Sequence, residues 1–189
     1  GAHRAPARQY GEMIAELVRR GVRFSDDVRL PGRRPDAWLP IELRPYQEAA
    51  MDAFSSRLAA GVQRGIINLP TGCGKTLTGL ALAKRMGVRT LWLAHRDELI
   101  EQPQRAIRAI WPEAQTGVVK AERDETDAQV VFGSIQTVAR PGCLEKLSGF
   151  DLVVVDEAHH AAAASYRRTL EALGCFNGGP PVLGLTATV

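Results

Sequence analysis

Two short stretches of this 189-residue chain carry residue types suited to handling a polyphosphate. The first is Leu69-Pro70-Thr71-Gly72-Cys73-Gly74-Lys75-Thr76. Glycines let a backbone curl tightly enough to turn successive N–H groups toward phosphate oxygens. A helix opening at the same point adds the positive end of its dipole. Pro70, Thr71, Gly72, Cys73 and Gly74 then form a cradle, Lys75 reaches the β- and γ-phosphates of ATP, and the Thr76 hydroxyl is offered to Mg²⁺. The general pattern G-x-x-x-x-G-K-S/T has a glycine where this chain has Leu69. Cys73 reads as a spacer, because no general base can be paired with it.

The second stretch is Asp151-Leu152-Val153-Val154-Val155-Asp156-Glu157-Ala158-His159, an apolar run that delivers two carboxylates at its end. Asp156 suits Mg²⁺, directly or through water, and Glu157 suits the orientation and deprotonation of an attacking water. Phosphoryl transfer asks a protein mainly for positioning and charge stabilisation, which Lys75, Asp156 and Glu157 can supply together. Two adjacent acids alone would read as an ordinary loop; with the phosphate loop upstream they point to an ATPase or GTPase.

The elements that must hold these residues are strands and helices in alternation. The pattern predicts a helix over Arg44–Ala60 starting at Pro45, a strand over Gly65–Leu69, and a helix over Lys75–Met86. It continues with a strand over Thr90–Ala94 and a helix over Arg96–Ile110 that Pro103 should kink or interrupt. Further strands are expected at Gly117–Val119, Val130–Phe132, Leu152–Val155 and Val182–Leu185. Strands apolar throughout and separated by helices imply a mostly parallel central sheet covered on both faces, an α/β fold. Ala161–Ala164 reads as a helix start or a loop.

Asp156-Glu157-Ala158-His159 is the DEAH-box sequence, and with the phosphate loop it resembles the first RecA-like P-loop domain of superfamily 2 helicases. The nearest branch holds XPB-like and Irc3-like DNA helicases and restriction-enzyme motor subunits. The resemblance runs from about Leu43 to Val189, with the motifs in family order. It implies that Arg44-Pro45-Tyr46-Gln47 is a Q-like motif, Gln47 meeting the adenine edge and Arg44 lying over the base. It makes His95 and Arg96, and then Ser134, Gln136 and Thr137, contacts to the nucleic-acid backbone; strand-end capping or a surface ion pair is the alternative for each. It makes Thr186-Ala187-Thr188 a coupling motif, with Thr186 and Thr188 relaying the state of the γ-phosphate through His159. His160 receives no role and reads as an exposed helix-start residue.

Composition sets outer bounds. A net charge of +3 permits nucleic-acid binding without arguing for it. Three cysteines, Cys73, Cys143 and Cys175, have no zinc-ligand spacing and fit a reducing, intracellular and cytoplasmic setting, nucleoid-associated in a bacterium. No apolar run is long enough to span a bilayer and no secretory leader is visible. Residues 1–40 read as a basic extension with an amphipathic helix around Tyr10–Arg20, and residues 41–189 as the ATP-binding domain. The chain stops directly after the coupling motif, so the reading expects a second RecA-like domain beyond Val189 to bring the arginine finger. A monomeric fragment that binds ATP but turns it over slowly follows. The function expected is a nucleic-acid-dependent ATPase, a DNA helicase or duplex translocase, with DNA preferred over RNA on resemblance alone. The alternatives are the motor subunit of a restriction system and a nucleotide-gated nucleic-acid sensor that does not unwind.

Overall fold

The computed structural model describes Arg20, residues 42–121 and residues 123–187, leaving aside the side chains of Asp97 and Glu98. The expected helix around Tyr10–Arg20 lies outside the described residues, apart from Arg20 itself, and so does Thr188. All the elements below belong to one compact unit, Leu39–Val189.

Helix α1 (Pro45–Ala59) opens with proline at its first position, where the missing N–H has no intrahelical partner to lose. Strand β1 (Arg64–Asn68) leads into the phosphate loop, and α2 (Lys75–Met86) leaves it. Gly87 ends α2 in the left-handed region, its N–H bonded to the carbonyls of Ala83 and Lys84. Strand β2 (Thr90–Ala94) follows, then a 3₁₀ turn over Asp97–Ile100 and helix α3 (Glu101–Ile110). The predicted single helix is thus divided, and Pro103 explains where. It sits in the first turn of α3, where a missing N–H is harmless, whereas an α-helix continuing from upstream would set its ring against the carbonyl of Leu99.

The remaining strands are β3 (Thr116–Lys120), β4 (Arg123–Asp124), β5 (Val130–Ser134), β6 (Leu152–Asp156) and β7 (Val182–Thr186). Three helices lie among them: α4 (Ile135–Val138), α5 (Pro141–Leu144) and α6 (Ala164–Ala172). The seven strands order as β1-β7-β6-β2-β5-β3-β4, all parallel except the last pair. Helices α1, α2 and α3 cover one face and α4 and α6 the other, so the strands must be apolar on both sides. Along β2 and β6, Trp92 and Val154 join Met51, Leu80, Leu82 and Ile107 on one face. Their neighbours Leu91, Leu93, Val153 and Val155 join Ile135, Tyr166 and Leu170 on the other. Each fully buried aliphatic side chain of these layers contributes about 1.5–3 kcal/mol against exposure.

Arg89, just before β2, ties down the opposite end of the sheet. Its guanidinium donates to the carbonyls of Ser148 (2.6 Å), Thr126 (2.7 Å) and Ala128 (3.3 Å) and lies over the Phe150 ring. Charged donors paired with several carbonyls are among the stronger hydrogen bonds available to a protein.

Candidate nucleotide-binding site

Strands β1, β6 and β7 end at the same edge of the sheet, the carboxyl edge where open α/β sheets bind ligands. The phosphate loop leaves β1, the acidic segment leaves β6, and the coupling motif ends β7. One backbone bond joins the first and last of these, Leu69 N–H donating to Thr186 O at 3.0 Å.

Gly72 and Gly74 hold φ of +81° and +76°, which L side chains rarely adopt. Gly74 stands immediately before α2, so Lys75 and Thr76 occupy its first turn among N–H groups without intrahelical partners. Gly74 is required a second time by its neighbour: a Cβ there would stand 2.6 Å from Gln47 Nε2.

Gln47 is 2% exposed, and both ends of its amide are engaged by backbone. Nε2 donates to Cys73 O (3.2 Å) and Gly74 O (3.4 Å), and Oε1 accepts from Arg44 N–H (2.8 Å). Here the Q-like motif is a brace beneath the phosphate loop. The Tyr46 hydroxyl adds a second brace, donating to Cys73 O at 3.1 Å while receiving a bond from Arg44 Nη1. Sequence reasoning missed Tyr46, since nothing in its type signals a partner 27 residues away. Arg44 and Tyr46 remain exposed beside the loop.

Asp156 ends β6. Burial pushes its carboxyl up to about 6. The Glu157 N–H, donating to Oδ1 at 3.0 Å, pulls it down, the Glu157 carboxylate adds to the rise, and the Lys75 ammonium opposes it. The indole nitrogen of Trp92 faces the same carboxyl without making a hydrogen bond. Glu157 has φ 51° and ψ 57°, a left-handed conformation that costs a residue with a side chain on the order of 1 kcal/mol or more. The chain turns sharply there into a 3₁₀ turn, Ala158–His160.

His159 Nδ1 lies 3.4 Å from Glu157 Oε2 and 3.4 Å from Thr186 Oγ1, so the acid, the histidine and the coupling threonine meet as a chain. Thr186 is 3% exposed. Gly184, two residues earlier, makes this approach fit: a Cβ there would stand 2.9 Å from the Cβ of Ala158.

The segments expected to touch nucleic acid divide. Arg96 and Gln136 are exposed. Ser134 and Thr137 are buried and bonded to each other, Ser134 Oγ accepting from Thr137 N–H at 3.4 Å as the cap of α4, and Ala121 N–H donating to Thr137 Oγ1. Their hydroxyls do structural work, the strand-end capping also open on sequence grounds. His95 is partly buried with its ring stacked on His160, centroids 4.1 Å apart and planes 15° apart. His160 is therefore no exposed bystander. The three cysteines are unpaired; burial pushes the thiols of Cys143 and Cys175 up, the latter to about 11.

Residues 40–189 match the family described as type III restriction enzyme, res subunit. The yeast protein IRC3 of Saccharomyces cerevisiae is 31% identical over 160 residues, which are 77% of this chain and 23% of IRC3. The DNA 3'-5' translocase XPB2 of Sulfurisphaera tokodaii is 32% identical over 78% of this chain and 31% of its own length. Among solved structures, the Hef helicase domain of Pyrococcus furiosus superposes with a TM-score of 0.62 at 26% identity, covering 77% of this chain and 33% of that one. The chain thus spans about a quarter to a third of the length of these relatives. A parallel sheet that gathers a glycine-rich loop, a DEAH segment and Thr186 at one edge, with the family matched over residues 40–189, makes this chain a member of the type III restriction enzyme res-subunit family and a RecA-like domain of the superfamily 2 helicase kind.

Proposed function

We propose that this chain is the ATP-binding domain of a nucleic-acid-dependent ATPase, a DNA helicase or duplex translocase. The observation that carries the reading is the Gly74-opened start of α2, with Lys75 acting electrostatically on a partly buried Asp156 beside Glu157. In this reading residues 41–189 are the ATP-binding domain and residues 1–40 a separate basic extension.

The phosphate-loop N–H groups and Lys75 bind the triphosphate, and Arg44 and Tyr46, exposed next to the loop, face the base. Thr76 and Asp156 are the residues that would hold Mg²⁺. They fit it: Asp156 is a carboxyl stripped of water with too little positive charge around it, and Mg²⁺ takes one or two protein oxygens beside phosphate and water. Bound there, the ion would neutralise charge on the phosphates. Glu157 orients the attacking water and takes its proton, and His159 holds Glu157 against Thr186. Arg96 and Gln136, both exposed, donate to the polymer backbone. DNA is favoured because XPB2 is named as a DNA translocase. A second RecA-like domain would complete the site with an arginine finger, worth about 10³–10⁵ in rate.

Binding of a fluorescent ATP analogue to the purified chain tests the site. Lys75→Ala should weaken it by at least about 100-fold, the loss of a charge-assisted phosphate contact. Unchanged affinity would end the reading. Turnover is measured in the whole protein that carries this chain, with no polymer, single-stranded DNA, duplex DNA and RNA in parallel. Stimulation by DNA is the expected result, and RNA alone stimulating would reverse the DNA assignment. Glu157→Gln should keep ATP bound and cut turnover by about 100-fold or more; normal turnover would remove Glu157 from its role.

The res-subunit family match favours one second reading, a restriction-system motor. Co-purification of a methyltransferase or a nuclease activity with the whole protein would select it.

A further inference from the structure

We propose that His160 is a positioning residue: its ring, stacked on His95 and tilted against His159, carries the state of the ATP site from Glu157 to the polymer-contacting loop after β2. The inference rests on the ATPase reading above.

The geometry has three parts. First, His160 is tied to the acidic turn, its N–H donating to the carbonyl of Glu157 at 2.9 Å. A change in the left-handed backbone at Glu157 therefore moves His160 with it. Second, the His160 ring meets two others. It lies on the His95 ring at 4.1 Å and 15°, and the His159 ring stands at 4.1 Å and 44°. His159 in turn touches Glu157 and Thr186. Third, no hydrogen bond at Nδ1 fixes the His95 ring. Its Nδ1 is buried without a hydrogen-bond partner, so contact with His160 fixes its orientation. His95 directly follows β2, whose Leu93 pairs with Val155 of β6, and it precedes the exposed Arg96.

Desolvation and the neighbouring His95 and His159 rings lower the pKa of His160, with Glu157 opposing and Arg96 adding. Neutral imidazoles stack without mutual repulsion, which suits a ring that transmits position. A π face is what the contact requires, so another flat ring can replace it and an aliphatic side chain of similar bulk cannot.

The experiment follows the imidazole resonances of the ¹³C,¹⁵N-histidine-labelled chain on adding a non-hydrolysable ATP analogue with Mg²⁺. In the wild type the His95 signals shift, together with the amides around Lys75. In His160→Leu and His160→Ala the Lys75 amides still shift while the His95 response falls by about 5-fold or more, the lower range of site-to-site coupling. His160→Phe restores it. The proposal fails if His95 responds as strongly in the Leu variant, or if Phe does not rescue. A wild-type spectrum in which the Lys75 amides move and His95 does not defeats the proposal alone. One in which neither moves defeats the ATP site as well.

Discussion

At the scale of single residues, the site concentrates unfavourable features. Asp156 is a desolvated carboxyl and Glu157 a strained backbone, side by side. Such features persist where the rest of the fold holds them, and they are a mark of functional sites. Asp156 makes the cost measurable. Its folded pKa of about 6 lies above the ordinary 3.8, so the folded state favours the protonated form. The stability this gives is full below the ordinary value and is lost as pH rises through about 6. Asp156→Asn removes the cost. At pH 7.5 and without nucleotide, the variant should be more stable in urea by on the order of 2 kcal/mol, with the difference closing toward pH 4. Equal stability at pH 7.5 would show that the carboxyl is adequately solvated. The sequence singled out Lys75, Thr76, Asp156 and Glu157, and the structure sets Lys75 and Thr76 in the first turn of α2 with Lys75 acting on Asp156 beside Glu157. The use of Gln47, Tyr46 and Ser134 was not legible in the sequence. Amides and hydroxyls bond to backbone as readily as to ligand, and only the folded chain says which carbonyl arrives.

At the scale of elements, apolar runs located the six five-residue strands of the sheet to within one or two residues. A strand covered on both faces leaves little choice of residue type. The two-residue β4 carries no such pattern, and α4 and α5 are single turns set by local caps. Packing between elements is equally invisible in one dimension. Gly184 on β7 lets the DEAH turn sit down on the sheet, with only 2.9 Å between an added Cβ and Ala158. Gly184→Ala should push that turn outward and lower stability by about 1–3 kcal/mol. Because His159 and Thr186 flank the contact, analogue affinity or turnover should fall as well. A variant that melts like wild type and turns over normally would mean the turn has room to spare.

For the whole domain, the two ends of the sheet divide the labour. The carboxyl edge gathers the candidate site, whereas the opposite end is fastened by Arg89 through the carbonyls of Thr126, Ala128, Ser148 and Gly149 and the face of Phe150. Arg89→Ala should cost about 2 kcal/mol in denaturant unfolding, chiefly through carbonyls left without a donor, and leave analogue affinity unchanged. A variant as stable as wild type would mean water replaces the guanidinium at no cost. Among the described residues no helix is long and apolar enough to cross a membrane. The α/β class and the layering on both faces were legible in the alternation of elements. The strand order was not, because it depends on crossovers that no local pattern encodes.

Among the described residues, the order β1-β7-β6-β2-β5-β3-β4 leaves β1 as a border strand with a single neighbour, and Ile66 on it is 69% exposed. The phosphate loop thus hangs from an edge rib of the sheet, stitched to β7 down to the clasp between Leu69 and Thr186. Under the proposed motor function, tension reaching β1 would peel that seam before it reached the interior ribs. Hydrogen exchange should then find the amides of β1 opening earlier than those of β2 or β6, and a seated triphosphate should sew them shut.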